Sequence, residues 1–299
     1  MMRRILIALD GSAESEQILD EVERVASPTT SLDLIHVLPD PTHEVPNAGV
    51  DVEDLAEAYL ARVAARLPNR KLRTFIWRGK PEEEIPKAAQ KLKADLLALT
   101  THARKGISHL LLGSVAEAVV RNSSTPVLLT RPGLARPRAG LKRILVAVDG
   151  SSPSREIAGV VRALVSDTGA EVVLLQVVVP VIVGDPVTGF TPIGVPEPLP
   201  DPAPALEEFA QEFIREGIST RALVVTGGAS DRILEQARAL DADLIAMATA
   251  GRKGLSRFMI GSVAEEVVRH MDRPVLLHRI PAKVEVTAKA HGRHAPGAD

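Results

Sequence analysis

Two short stretches carry residue types that could hold an anion. Gly113-Ser114-Val115-Ala116-Glu117 and Gly261-Ser262-Val263-Ala264-Glu265 each set a glycine and a hydroxyl where a helical apolar pattern begins. Free N–H groups at a helix start attract phosphate, and glycine lets the ligand come close. The same residues also predict a capping box, with Ser114 and Ser262 as caps and Glu117 and Glu265 three positions on, worth about 1 kcal/mol to each helix. Basic pairs precede both stretches, Arg104-Lys105 and Arg252-Lys253. They could neutralise phosphates or form a solvated loop. Asp10 and Asp149 each end an apolar run, ILIAL and ILVAV, before Gly-Ser. A carboxylate there could hold Mg²⁺ through bound phosphates, although aspartate before a turn is also common. A helix dipole gives an exposed anion only about 0.3–1 kcal/mol, and micromolar binding needs about 8. Burial of a base and contacts from the loop must supply the rest.

Other chemistry is thin. There are no cysteines, which excludes disulfides, thiolate catalysis and cysteine-bound metal. His36, His102 and His109 invite a metal or catalytic reading, but the second half of the chain puts Gln176 and Ala250 where the first has His36 and His102. Structural roles fit them better. No Walker motif, H-E-x-x-H or Ser-His-Asp spacing occurs. Glu82, Glu83 and Glu84 read as the acidic first turn of a helix beginning at Pro81. A net charge of −2 and 2% aromatics argue against nucleic acid or anionic lipid as partner. The opening MMRRILIALDG is too short for a signal peptide or a membrane span, so no membrane partner and a cytoplasmic location are expected.

The elements that must position these residues alternate. Ile5–Leu9, Leu32–Leu38, Leu72–Trp77, Leu96–Thr100 and Pro126–Thr130 read as strands. Helices are expected from Ser12, with Ile18, Val22 and Val25 inward, over 55–67, from Pro81, and over 115–121; in the second half Ser152 before Pro153 reads as an N-cap. A β-α-β-α series implies an open five-stranded parallel sheet with helices on both faces. Ligands bind such sheets beyond the carboxyl ends of the strands, where strand order reverses.

The whole series occurs twice. Arg104–Leu129 and Arg252–Leu277 align without a gap, identical at 16 of 26 positions. RRILIALDGS at Arg3 returns as KRILVAVDGS at Lys142. Two domains are expected, at residues 1–132 and 141–280, with a linker at 133–140. The Pro- and Gly-rich insertion at 180–204 reads as a surface loop, and 281–299 as a disordered tail.

The ensemble of Asp-Gly-Ser after the first strand, a loop after the fourth, nine residues, then Gly-Ser-Val-Ala-Glu and Pro-Val-Leu-Leu resembles the universal stress protein family, in both halves. The resemblance implies a tandem member with an adenine nucleotide alpha hydrolase-like, Rossmann-like fold. ATP-binding members of that family carry G-x-x-G, nine residues, then G-S/T. The second half matches with Ala248-Thr249-Ala250-Gly251 and Gly261-Ser262, departing only at Ala248; the first half has Thr100-Thr101-His102-Ala103 and lacks both leading glycines. By resemblance, Asp149 sits by the adenosine, the main chain of Ala147 and Val177 contacts adenine, and Ala248, Gly251, Arg252, Gly261, Ser262 and Val263 serve the ribose and phosphates. The first-half equivalents are Ala8, Asp10, Val37, Gly113, Ser114 and Val115. Ala103 adds a methyl group where Gly251 is free to take positive φ, so the C-terminal half is expected to be the better site.

The resemblance also implies a stress-response regulator or sensor that binds ATP, with Mg²⁺ as a candidate companion, and turns it over slowly or not at all. It implies that the last strands of the two halves pair as an intramolecular pseudo-dimer; a further homodimer is compatible with this, and no residue identifies a downstream protein partner. The alternative is a nucleotide-free scaffold of paired domains. A nucleotide-dependent transferase or pyrophosphatase would need S-G-G-x-D-S or H-x-G-H loops, which are absent.

Overall fold

In the computed structural model, residues 1–40, 51–101, 113–134, 140–180, 201–250 and 260–280 are described. The first half runs β1 (Arg4–Leu9), a 3-10 turn (Ser15–Gln17), α1 (Ile18–Val25), β2 (Ser31–Leu38), α2 (Val52–Ala64), β3 (Leu72–Arg78), α3 (Pro81–Lys91), β4 (Leu96–Thr100), α4 (Ser114–Asn122) and β5 (Val127–Thr130). The second repeats it: β6 (Arg143–Val148), α5 (Ser152–Arg155), α6 (Ile157–Thr168), β7 (Glu171–Val178), α7 (Ala203–Arg215), β8 (Thr220–Thr226), α8 (Ala229–Ala239), β9 (Leu244–Ala250), α9 (Ser262–His270) and β10 (Val275–Ile280). The expected alternation holds, with shifted ends. Helix α2 starts three residues earlier than the apolar spacing suggested, because the Asp51 side chain accepts from the Glu53 amide and caps it. Helix α7 takes in the last two residues of the stretch read as a loop. Residues 181–200 and 281–299 lie outside the described residues.

Each half is an open parallel sheet, in the order β3-β2-β1-β4-β5 and β8-β7-β6-β9-β10. The strands are apolar on both sides because both faces are covered. Ile5, Ile7 and Leu9 point to one face and Leu6 and Ala8 to the other. Helices α1, α2, α6 and α7 cover the first face, and α3, α4, α8 and α9 the second.

The halves meet along the last strand of each. β5 and β10 pair antiparallel, with Val127 opposite Leu277, Leu128 opposite Leu276 and Leu129 opposite Val275. This makes one ten-stranded sheet, and each hydrophobic layer runs across the seam with residues from both halves. The pairing removes two apolar strand edges that would otherwise stand open.

Candidate functional site

Chain order reverses between β1 and β4, which are hydrogen-bonded neighbours, and likewise between β6 and β9. The carboxyl ends of these strands therefore lie side by side in each half, at the place where such sheets form a ligand crevice. Asp10 and Asp149 stand at its lip. In the second half, Asp149 Oδ1 accepts from the Ser151 amide at 2.9 Å and its hydroxyl at 2.6 Å. Ser151 Oγ accepts from the Ser154 amide at 3.2 Å and caps α5. The Ser154 hydroxyl donates to the Ser151 carbonyl and takes the Asp149 amide. In the first half Asp10, Ser12 and Ser15 repeat the network, with Ser12 N and Oγ at 2.9 and 2.6 Å from Asp10 Oδ1. Gly11 and Gly150 make the turn at φ +91° and +80°. Burial pushes the Asp149 carboxyl up, but donation from Ser151 and Ser154 outweighs it, so the group titrates below the usual range.

This network corrects one reading and adds one. The cap of α5 is Ser151, and Ser152 is the first helical residue. Two adjacent serines look alike in sequence, and the aspartate bond selects the first. Ser15 and Ser154, both buried, were missed. Their signal was present as Asp-Gly-Ser-x-x-Ser in both halves.

The helix starts opposite the lip correct a second reading. The N-caps of α4 and α9 are Gly113 and Gly261, without a side-chain cap bond. Ser114 and Ser262 are the first residues inside their helices and are exposed, so the expected capping boxes do not form. The Glu117 and Glu265 amides donate to the Gly113 and Gly261 carbonyls, one position beyond the box. Their carboxylates turn along the helices instead, to Arg121 and, at 2.7 Å, to Arg269. Among the described residues, no side chain caps the first-turn N–H groups of either helix.

The crevice walls are apolar. Ala8, Val37 and Val115 lie against one hydrophobic layer, as do Ala147, Val177 and Val263. Ala248 stands on β9 in register with His278 of β10. Thr100, its counterpart, donates to the Ser15 carbonyl at 3.1 Å and ties β4 to the lip loop. Gly251, Arg252, Ala103, Arg104, Lys105, Lys253, His102 and His109 lie outside the described residues. His36 is engaged in support, with Nδ1 2.8 Å from the Leu9 carbonyl and its ring beside Tyr59. Among the described residues, no group of three or more His, Cys, Asp or Glu could hold a metal, and no helix is long and apolar enough to cross a membrane.

Comparison with known proteins agrees with this geometry. The model of the universal stress protein family matches residues 1–131 and again 140–279. A universal stress protein of Methanocaldococcus jannaschii is 33% identical over 144 residues, covering 48% of this chain and 84% of that protein. A crystal structure of a universal stress protein from Archaeoglobus fulgidus superposes with a TM-score of 0.71, at 21% identity, over 92% of this chain and 98% of its own. A putative universal stress protein from Pseudomonas aeruginosa gives 0.65, at 20% identity and 93% of each chain. Both share the two-unit fold. The chain belongs to the universal stress protein family, with two family units in tandem.

Proposed function

We propose that this chain is an adenine-nucleotide-binding regulator of the stress response that binds ATP, with Mg²⁺ through the phosphates, and reports it rather than turning it over quickly. The observation that carries this reading is the first turn of α9 behind Gly261, which has φ +98°, no side-chain cap, and no described atom within 4 Å of where a side chain would begin. Among the described residues no side chain stands between those N–H groups and an approaching phosphate. The apolar wall of Ala147, Val177 and Val263 suits a base, and the Asp149 carboxylate, held ionised by its serines, suits a ribose hydroxyl. The C-terminal half is the better site, since Gly113 takes an ordinary φ of −56° and Ala103 replaces a glycine. The two halves act as one pseudo-dimer in a cytoplasmic protein, a reading supported by the shared seam.

Fast phosphoryl transfer needs a base to position water at the γ-phosphate, and Asp149 lies on the adenosine side of this arrangement. Identification of nucleotide co-purified with the full chain, followed by calorimetric titration with ATP, tests the proposal. Binding tighter than about 100 µM, one site stronger than the other, and turnover well below the usual enzyme rate of about 10 per second are expected. An absence of adenine-nucleotide binding would favour a scaffold role for the paired halves.

A further inference from the structure

Arg24 is a charged side chain of the first half buried against the second. It sits at the end of α1 and is only 8% exposed. It reaches Glu21 Oε2 of its own helix at 2.9 Å and, across the seam, Asp243 Oδ1 at 2.7 Å. It also donates to the Gly140 carbonyl, where the chain enters the second unit. Asp243 is held from behind, its other oxygen taking the Lys142 and Arg143 amides at 2.8 and 3.0 Å.

The repeat has a counterpart for each member of this cluster, and most are blank. Asp95 is the counterpart of Asp243, because its Oδ2 takes the Arg3 and Arg4 amides in the same way. By the alignment that matches Ile18 to Ile157, Arg24 corresponds to Ala163, Glu21 to Val160 and Gly140 to Met1. Ala163 and Met1 line a cleft of about 650 Å³. Across the near-symmetric contact one side is thus bridged by an ion cluster, and the other by a main-chain bond, Met2 N–H to Asp167 Oδ2 at 2.9 Å, with no arginine at the place that matches Arg24.

We infer that Glu21, Arg24 and Asp243 form a one-sided latch that fixes how the two family units meet, with Arg24 as the positioning residue and Ala163 marking the vacant counterpart. The inference rests on the reading of the halves as a paired unit. A desolvated arginine between two carboxylates has strict geometric demands, whereas apolar strands and helices can slide. The latch therefore adds a charge-specific constraint to the register that the β5–β10 ladder sets. Lost from one side, it frees the units to shift; supplied on the other, it locks them further.

Amide hydrogen exchange on the full chain tests this, comparing seam residues 127–129 and 275–277 with the outer strands β3 and β8. Arg24→Met is expected to speed seam exchange at least tenfold and leave the outer strands within twofold, with Arg24→Lys between. Ala163→Arg, which puts an arginine at the position matching Arg24 in a repeat that keeps Asp95 as the counterpart of Asp243, is expected to slow seam exchange. Fast seam exchange in the unsubstituted chain would overturn the pairing and the latch together. Slow exchange that Arg24→Met leaves unchanged, or raises equally in the outer strands, overturns the latch alone. An Ala163→Arg chain with unaltered seam exchange overturns Ala163 as the missing counterpart.

Discussion

The two crevices share one loop and differ in what surrounds it. Asp10 and Asp149 hold their serines at the same 2.6 and 2.9 Å. Beneath the loop, however, the first half puts His36, whose Cε1 is 3.8 Å from where a Gly11 side chain would begin. The second puts Gln176, whose Nε2 is 2.9 Å from the same point at Gly150. Across the crevice, α4 is entered at φ −56° and α9 at +98°. The hydrogen-bonded lip thus tolerates a changed support, since its bonds close within six residues. Helix entry differs between the halves at the capping glycine itself.

The largest contrast is expected in the cores. Phe213 is fully buried, edge-on to Phe209 with Arg162 over its ring, while α2, the matching helix of the first half, buries only Ala56, Leu60 and Val63. Phe213→Ala should cost about 3–5 kcal/mol in denaturant unfolding, and Val63→Ala about 2. Equal losses would mean that the halves do not differ in packing at that layer.

Nucleotide binding sharpens the comparison next. Gly251→Val is expected to remove the stronger ATP site, with at least a tenfold loss of affinity in titration calorimetry. Ala103→Gly should strengthen the weaker site severalfold. If Gly251→Val leaves the tighter site intact, the proposed asymmetry between the halves is wrong.

Helix entry gives a smaller difference. Gly261→Ala forces a side chain into a left-handed conformation and should cost about 1–2 kcal/mol. Gly113→Ala meets no such strain and should stay within about 0.5 kcal/mol. Thermal unfolding of the two variants decides it.

The smallest effects are in pH, and their signs oppose. Asp272, beside Arg273 and Arg238, is pulled from 3.8 to about 2 although burial alone would raise it. Its contribution is present above pH 3.8 and is lost as pH falls through about 2. Ser124 stands at the matching place, so the first half has no such dependence there. Glu21 is raised above 4.5 by burial, against the pull of Arg24 and with Asp20 and Asp243 adding to the rise. Its contribution is full below pH 4.5 and is lost as pH climbs through the raised value. Glu21→Gln should flatten stability in that window, and Asp272→Asn should flatten it in the acid limb. Unfolding curves from pH 2 to 7 would show either slope.

Much of this molecule was determined by its sequence alone. The duplication, the alternation of strands and helices, and the aspartate ending each first strand follow from apolar periodicity and from a repeat visible letter by letter. The caps did not follow, because a serine at a cap and a serine one place inside a helix share one local pattern. Only the folded chain decided that Gly113 and Gly261 would be the caps, with Ser114 and Ser262 one place inside their helices. The pairing of the last strands was implied by the family resemblance, but its register and the latch were further from view. Val127 and Leu277 read only as strand residues until β5 met β10, and Arg24 finds Asp243 across 219 positions of chain. Local spacing records which face a side chain takes; which distant charge it meets is set by how two complete sheets close on each other.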